Sequence, residues 1–241
     1  MPIEIAHLVK RFGAIRAVDS LDLVVPTGAF QVLYGPNGAG KTTLLKILAG
    51  LAKPTSGTVK LEGEDLLAHP ERLRGRIGFL THVPYLYGEL TALENLRFYA
   101  DLYGLDRPDE RAREVLDEVG LSARAEDRVS TFSRGMTQRA AIARALIHDP
   151  DVLLLDEPFS GLDPDASDRL QVLLEGLRDG ARSMILITHD IARGLALADR
   201  VAVQVSGRIV WEAASAGLTV DQVSESYRSA VGSLPERARA A

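Results

Sequence analysis

The sequence predicts an α/β protein in which a buried sheet is interrupted by a helical insertion. Three observations carry this expectation. The strand-like run "FQVLY" ends in a glycine-rich turn that leads into a helical segment, "GPNGAGKTTLLKIL". Two short apolar runs, "DVLLLDE" and "SMILITHD", are each followed by helical patterning, as buried parallel strands are. Between these regions, Thr91 to His148 is charge-rich and helical in pattern, with no strong strand signal.

Taken in order, "IEIAHLV", "LDLVVP" and "FQVLYG" read as strands, and a helix is expected from near Gly40 to a stop at Gly50. "GTVKLEG", flanked by glycines, and "GRIGFL" are two further strands. Thr91 and Glu94 have capping-box spacing and open a helix with Leu93, Leu96, Ala100 and Tyr103 on one face. "RVAVQVSGRIVWE" reads as two strands around Ser206-Gly207, and the tail "PERARAA" is expected to fray. The insertion spans roughly residues 82 to 148.

Composition narrows the function classes. The chain has 241 residues, 46% hydrophobic and 25% charged, which is ordinary for a globular protein with one large core. A net charge of −5 argues against a nucleic-acid partner, which calls for a basic surface. The absence of cysteine excludes disulfides, thiolate metal sites and cysteine nucleophiles, and it fits a reducing compartment. "MPIEIAHLVKRF" lacks the features of a secretory leader, and no run of eighteen apolar residues occurs. Work at a membrane would therefore require a partner to hold the chain there.

Two motifs carry chemistry. In "GPNGAGKT" the residues Gly35, Pro36, Asn37, Gly38, Ala39, Gly40, Lys41 and Thr42 form a phosphate-binding loop between a strand and a helix, with Thr43 next. Its glycines let backbone N–H groups turn toward phosphate oxygens, and the helix N-terminus favours negative charge. Lys41 is placed to reach the β- and γ-phosphates, and the Thr42 hydroxyl to ligate Mg²⁺. The bland alternative is a glycine turn. In "VLLLDEP", Asp156 and Glu157 end a buried strand, where an uncompensated pair of carboxylates is costly. A strand-end aspartate beside a phosphate loop serves Mg²⁺, and the next glutamate can act as general base. An acidic helix cap is the bland alternative here.

With these residues in place, the chain resembles the nucleotide-binding subunit of ABC (ATP-binding cassette) transporters over nearly its whole length. "FSRGMTQR" stands at the family's signature and is followed by "AAIARALIHDPDVLLLDEPFSGLD", then "ITHD". The resemblance implies a P-loop NTPase sheet core (1–81 and 149–241) with an N-terminal antiparallel β subdomain. The hinge and α-helical subdomain fall in 82–148, within a single domain of 1–241. It implies MgATP hydrolysis with Glu157 and the switch residue His189 as catalytic groups, and Phe12 stacked on adenine. It also implies that Ser133, an apt N-cap, and Gly135 complete the ATP site of an opposite subunit. That subunit is a second copy or a paralogue, joined head to tail when ATP is bound. A separate transmembrane permease would then hold the chain at the cytoplasmic face. Arg134 and Met136 replace the commonest glycine and glutamine of the signature.

"FLTHVPYLYGELTALENLRFYADLY" holds six of the thirteen aromatic residues. The resemblance identifies it as the hinge whose groove receives a helix of the permease, which suits tyrosine at an interface. Phe79 and Phe98 are expected to be ordinary core. His82 replaces the family's glutamine and is a candidate catalytic residue. A histidine there followed by "ELTALENLRFY" also resembles the ATP-binding subunit of the cytochrome c biogenesis haem exporter. ATPases of drug- or lipid-exporting systems share much of this wording, and a soluble ABC ATPase without a transport role is a further alternative.

Overall fold

The computed structural model describes residues 1–178 and 180–232, so the expected fraying of "PERARAA" lies outside the described residues. The chain opens with β1 (Ile3–Phe12), β2 (Ile15–Val25), β3 (Phe30–Tyr34), α1 (Lys41–Leu48), β4 (Ser56–Leu61) and β5 (Glu64–Asp65). Next come α2 (Pro70–Arg74), β6 (Ile77–Leu80), α3 (Ala92–Leu102), α4 (Pro108–Glu118) and α5 (Arg134–Leu146). The rest alternates: β7 (Val152–Asp156), α6 (Pro164–Gly176), β8 (Ser183–Ile187), α7 (Ile191–Leu197), β9 (Arg200–Val205), β10 (Arg208–Ala214) and α8 (Val220–Gly232).

Two sheets form. The first is antiparallel, in the order β2-β1-β4-β5, and the second runs β10-β9-β3-β8-β7-β6. In the second, five strands are parallel and only β10 is antiparallel, turned through Ser206 and Gly207, both at positive φ. Every residue of β3, β7 and β8 is buried, so these strands carry core on both faces. Phe30, Val32, Tyr34, Leu153 and Leu155 face a core shared with the helices of the insertion. Leu33, Val152 and Leu154 face the opposite core, shared with α1 and the antiparallel sheet. From α1, Leu44, Leu45, Ile47 and Leu48 enter that second core, each worth about 1.5–3 kcal/mol on full burial.

The capping box forms as expected. Thr91 Oγ1 accepts from the Glu94 N–H at 3.1 Å, and Glu94 Oε2 accepts from the Thr91 N–H at 2.7 Å. Leu93, Leu96 and Ala100 are buried, but Tyr103 lies past the end of α3 and stays 44% exposed, stacked on His148 at 4.0 Å. Phe98 also departs from expectation: it is 38% exposed, set edge-on between Tyr87 and Tyr99 at 5.3 Å from each. Two residues past Leu96, it sits about 200° round the helix from the buried face. Phe79 does pack against the core.

Candidate functional site

The site is assembled at the C-terminal ends of β3 and β7. A cavity of about 470 Å³ there is lined by residues 37–43 of the glycine-rich loop, with Phe12, Ala17, Asp156, Glu157 and Ile187. Gly40 precedes α1 at φ +97°, and a Cβ there would stand 1.8 Å from the Ala17 carbonyl oxygen. Only glycine lets the chain turn into α1 this close to β2. The N–H groups of Gly40, Lys41, Thr42 and Thr43 have no acceptor among the described residues, so four donors converge at a helix N-terminus. Lys41 folds back over the loop, its Nζ donating to the carbonyls of Gly35 at 2.6 Å and Pro36 at 2.9 Å. Burial lowers its pKa, while Glu157 and Asp156 oppose that shift. A partly dehydrated ammonium held by two neutral oxygens gains from an anion placed beside it.

Asp156 closes the cavity from β7 and is 4% exposed. Burial raises its pKa; the hydrogen bond to Thr42 and the nearby charges of His82, Lys41 and Lys46 pull it back. The buried Asp156 carboxyl and the half-buried Thr42 hydroxyl thus share one corner of the cavity. Glu157 follows at φ +52°, its N–H donating to the Ile187 carbonyl at 3.0 Å. Its Oε2 lies 2.9 Å from Nδ1 of His189 at the end of β8. A carboxylate only accepts, so Nδ1 carries the proton and Nε2 is left as an acceptor in the neutral ring.

The remaining expected residues divide. Phe12 is 53% exposed on the cavity wall, with Lys10 Nζ 4.8 Å from its ring centroid, so it is not a core strand residue. His82 is exposed on the loop after β6, near enough for its charge to act on Asp156. Ser133 caps α5, its Oγ accepting from the Met136 N–H at 3.3 Å. Neither Ser133 nor Gly135 lines the cavity of its own chain. Gly135 instead lets α5 approach α6, since a Cβ would stand 2.9 Å from the Ala166 Cβ. Arg134 lays its guanidinium over Gly161, where a Cβ would be 2.2 Å from Cζ. The replacement in the signature is therefore accommodated against the "SGLD" turn of the same chain.

One site-forming residue was not singled out from sequence. Arg144, in the last turn of α5, donates to the carbonyls of Phe79 at 2.7 Å and Pro84 at 3.1 Å. Its guanidinium lies 5.8 and 5.5 Å from the ring centroids of Tyr85 and Tyr99, and Tyr99 donates its hydroxyl to the Tyr85 carbonyl at 2.5 Å. This cation ties the signature helix to the loop that carries His82. The sequence signal was there: Arg144 is a lone charge in the otherwise apolar run "AAIARALI".

Comparison with known proteins agrees with this geometry. The ABC transporter family model matches residues 18–160. The sulfate/thiosulfate import ATP-binding protein CysA of Mycobacterium tuberculosis is 40% identical over 210 residues, covering 86% of this chain and 60% of the relative. The chain thus spans about 60% of the length of these CysA relatives. The daunorubicin/doxorubicin resistance ATP-binding protein DrrA of Streptomyces peucetius is 36% identical over 240 residues, covering 99% of this chain and 73% of DrrA. Among solved structures, a dimeric post-hydrolysis ATP-binding cassette bound to ADP and phosphate superposes with TM-score 0.80 at 28% identity, over 90% of this chain and all of that one. With a phosphate loop, an acidic strand end and a capped signature helix on this sheet, the chain belongs to the ABC transporter family, as one of its nucleotide-binding domains.

Proposed function

We propose that the chain binds and hydrolyses MgATP and drives a separate transmembrane permease from the cytoplasmic face of the membrane. The observation that carries this is the convergence in one cavity of free loop amides, Lys41, Asp156 and Glu157 paired with His189. The loop amides and Lys41 hold the β- and γ-phosphates, and Phe12 offers adenine the ring face away from Lys10. The corner of Asp156 and Thr42 fits Mg²⁺, since it supplies a carboxylate and a hydroxyl, both hard oxygen donors. Among the described residues no group of three or more His, Asp or Glu is placed to hold a metal, so phosphate and water would complete the shell. When bound, that ion neutralises charge on the phosphates.

Glu157 accepts the proton of the attacking water as the water's oxygen bonds the γ-phosphorus and the bond to the β-phosphate oxygen breaks. His189 donates from Nδ1 to the Glu157 carboxylate, and with Nε2 protonated as well it would donate to a γ-phosphate oxygen. His82, close enough to act on Asp156 electrostatically, is the further candidate catalytic residue. Ser133 and Gly135, outside their own cavity, serve the nucleotide of a second subunit, a copy or a paralogue, in a head-to-tail dimer. Relatives assembled as dimeric cassettes support this arrangement.

The same reading treats residues 1–241 as one domain, with 82–148 as hinge and helical subdomain. Among the described residues no helix is long and apolar enough to cross a membrane, which leaves that task to the permease. For cargo, the haem-exporter reading rests on His82 followed by "ELTALENLRFY". Drug or lipid export is the alternative, and the genes adjacent to this one distinguish the two. Calorimetry tests the central claim: Lys41→Ala should abolish tight MgATP binding with the fold retained. Equal affinity in the two proteins would remove the phosphate-loop assignment.

A further inference from the structure

Gln204 on β9 is fully buried, an unusual position for a primary amide, and it lies directly beneath the phosphate loop. Its Nε2 donates to the Ala39 carbonyl at 3.0 Å, and the Gly207 N–H donates to the same oxygen at 2.9 Å. Its Oε1 is buried with no partner among the described residues. A buried acceptor left unpaired costs stability, so an apolar side chain of equal length would serve the sheet core better. The amide is therefore explained by what it holds.

We propose that Gln204 is a positioning residue for nucleotide binding, locking the Ala39–Gly40 peptide in its phosphate-binding orientation. The inference rests on the reading of this loop as the phosphate site. A trans peptide is planar, so its C=O and N–H point in opposite directions. With the Ala39 carbonyl drawn toward Gln204 and Gly207, the Gly40 N–H on the same peptide points away from β9. That is the side of the cavity, which Gly40 lines and Gln204 does not. A flip of this peptide turns ψ of Ala39 and φ of Gly40, and glycine resists the second only weakly. A flipped peptide would withdraw one donor and present a carbonyl oxygen to the phosphate. Gln204 acts against that flip, with its Nε2 also 3.1 Å from where a Gly40 Cβ would stand.

The test compares Gln204→Met and Gln204→Leu with the wild-type full chain. Both remove the donor and the orphaned acceptor together. Urea unfolding of the nucleotide-free protein should show stability unchanged or higher. Calorimetry with MgATP should show Kd raised about three- to tenfold, the loss of one net hydrogen bond, and KM should rise with kcat retained. Wild-type affinity in both variants overturns the proposal. So does failure of both to fold, which would make the amide a requirement of the sheet. Lys41→Ala in the same assay separates the two levels of argument. If it loses binding while Gln204→Met does not, only the role of Gln204 falls; if it binds like wild type, the phosphate site falls and takes this inference with it.

Discussion

Glu157 and His189 are 32 residues apart in the chain and 2.9 Å apart in space, Oε2 to Nδ1. The sheet brings them together. Asp156 on β7 pairs in register with Ile187 on β8, so the residues just past each strand end meet at the cavity rim. Glu157 takes a left-handed backbone, φ +52°, a conformation that costs a non-glycine residue roughly 1–2 kcal/mol. The hydrogen bond from its N–H to the Ile187 carbonyl holds it there.

This geometry sets the expected behaviour of Glu157→Gln. The amide oxygen can still accept from His189, so the fold and the pair survive, but the proton acceptor is gone. Steady-state ATP turnover should drop roughly 10²- to 10⁴-fold. If the proposed two-subunit sandwich opens only after hydrolysis, gel filtration with MgATP should show the variant retained as a dimer. Wild-type turnover in the variant would remove Glu157 from its role.

Acid should destabilise the protein through His148. Burial lowers its pKa from 6.5 to about 4, against a hydrogen bond to the Ile77 carbonyl at 3.2 Å. Its Nδ1 is buried with no partner among the described residues. Between pH 6.5 and about 4 the unfolded chain binds the proton that the folded ring refuses. Stability is therefore full above pH 6.5 and falls as pH drops toward 4, by up to about 3 kcal/mol from this group. In urea titrations at a series of pH values, His148→Gln should flatten that part of the profile while keeping a donor for Ile77. An unchanged slope would assign the acid sensitivity elsewhere.

Arg144 should matter for stability more than an ordinary surface arginine. It is half-buried, two backbone carbonyls accept from its guanidinium, and no carboxylate is paired with it among the described residues. Arg144→Lys keeps the charge but loses the planar fork and its stacking on Tyr85 and Tyr99. Urea unfolding should show a loss of about 1–3 kcal/mol. Protease cleavage in the 79–87 loop should rise as well, because the signature helix no longer clamps it. A variant with wild-type stability and no new cleavage would mean the clamp is dispensable.

Tyr85 and Tyr87 should report on the proposed permease partner. They are 56% and 52% exposed, so neither is core, and Tyr85→Ala with Tyr87→Ala should leave the fold and basal ATP turnover intact. Truncating aromatic anchors in an interface commonly costs about 2 kcal/mol or more each. Co-purification with the permease and transport in vesicles should both weaken. A double variant that assembles normally would show that these rings contact no partner.

The strand–loop–helix of the phosphate site and the buried strands β7 and β8 were legible in the sequence, because each rests on local chemistry: glycine turns, apolar runs and the residues that end them. Ser133 as a helix cap and the Thr91–Glu94 box were legible for the same reason, since a cap joins residues three apart. Local pattern failed where burial depends on what lies across a gap. Phe98 and Tyr103 have the apolar character of core residues, yet they sit off the face that α3 buries, and only packing of α3 against α4 and α5 decides that face. The clamp of Arg144 on Phe79 and Pro84, the hold of Gln204 on Ala39 and the meeting of Glu157 with His189 all span tens of residues or more in the chain. Such contacts have no sequence period. They exist because parallel strands, joined through helices, bring distant strand ends to one edge of the sheet.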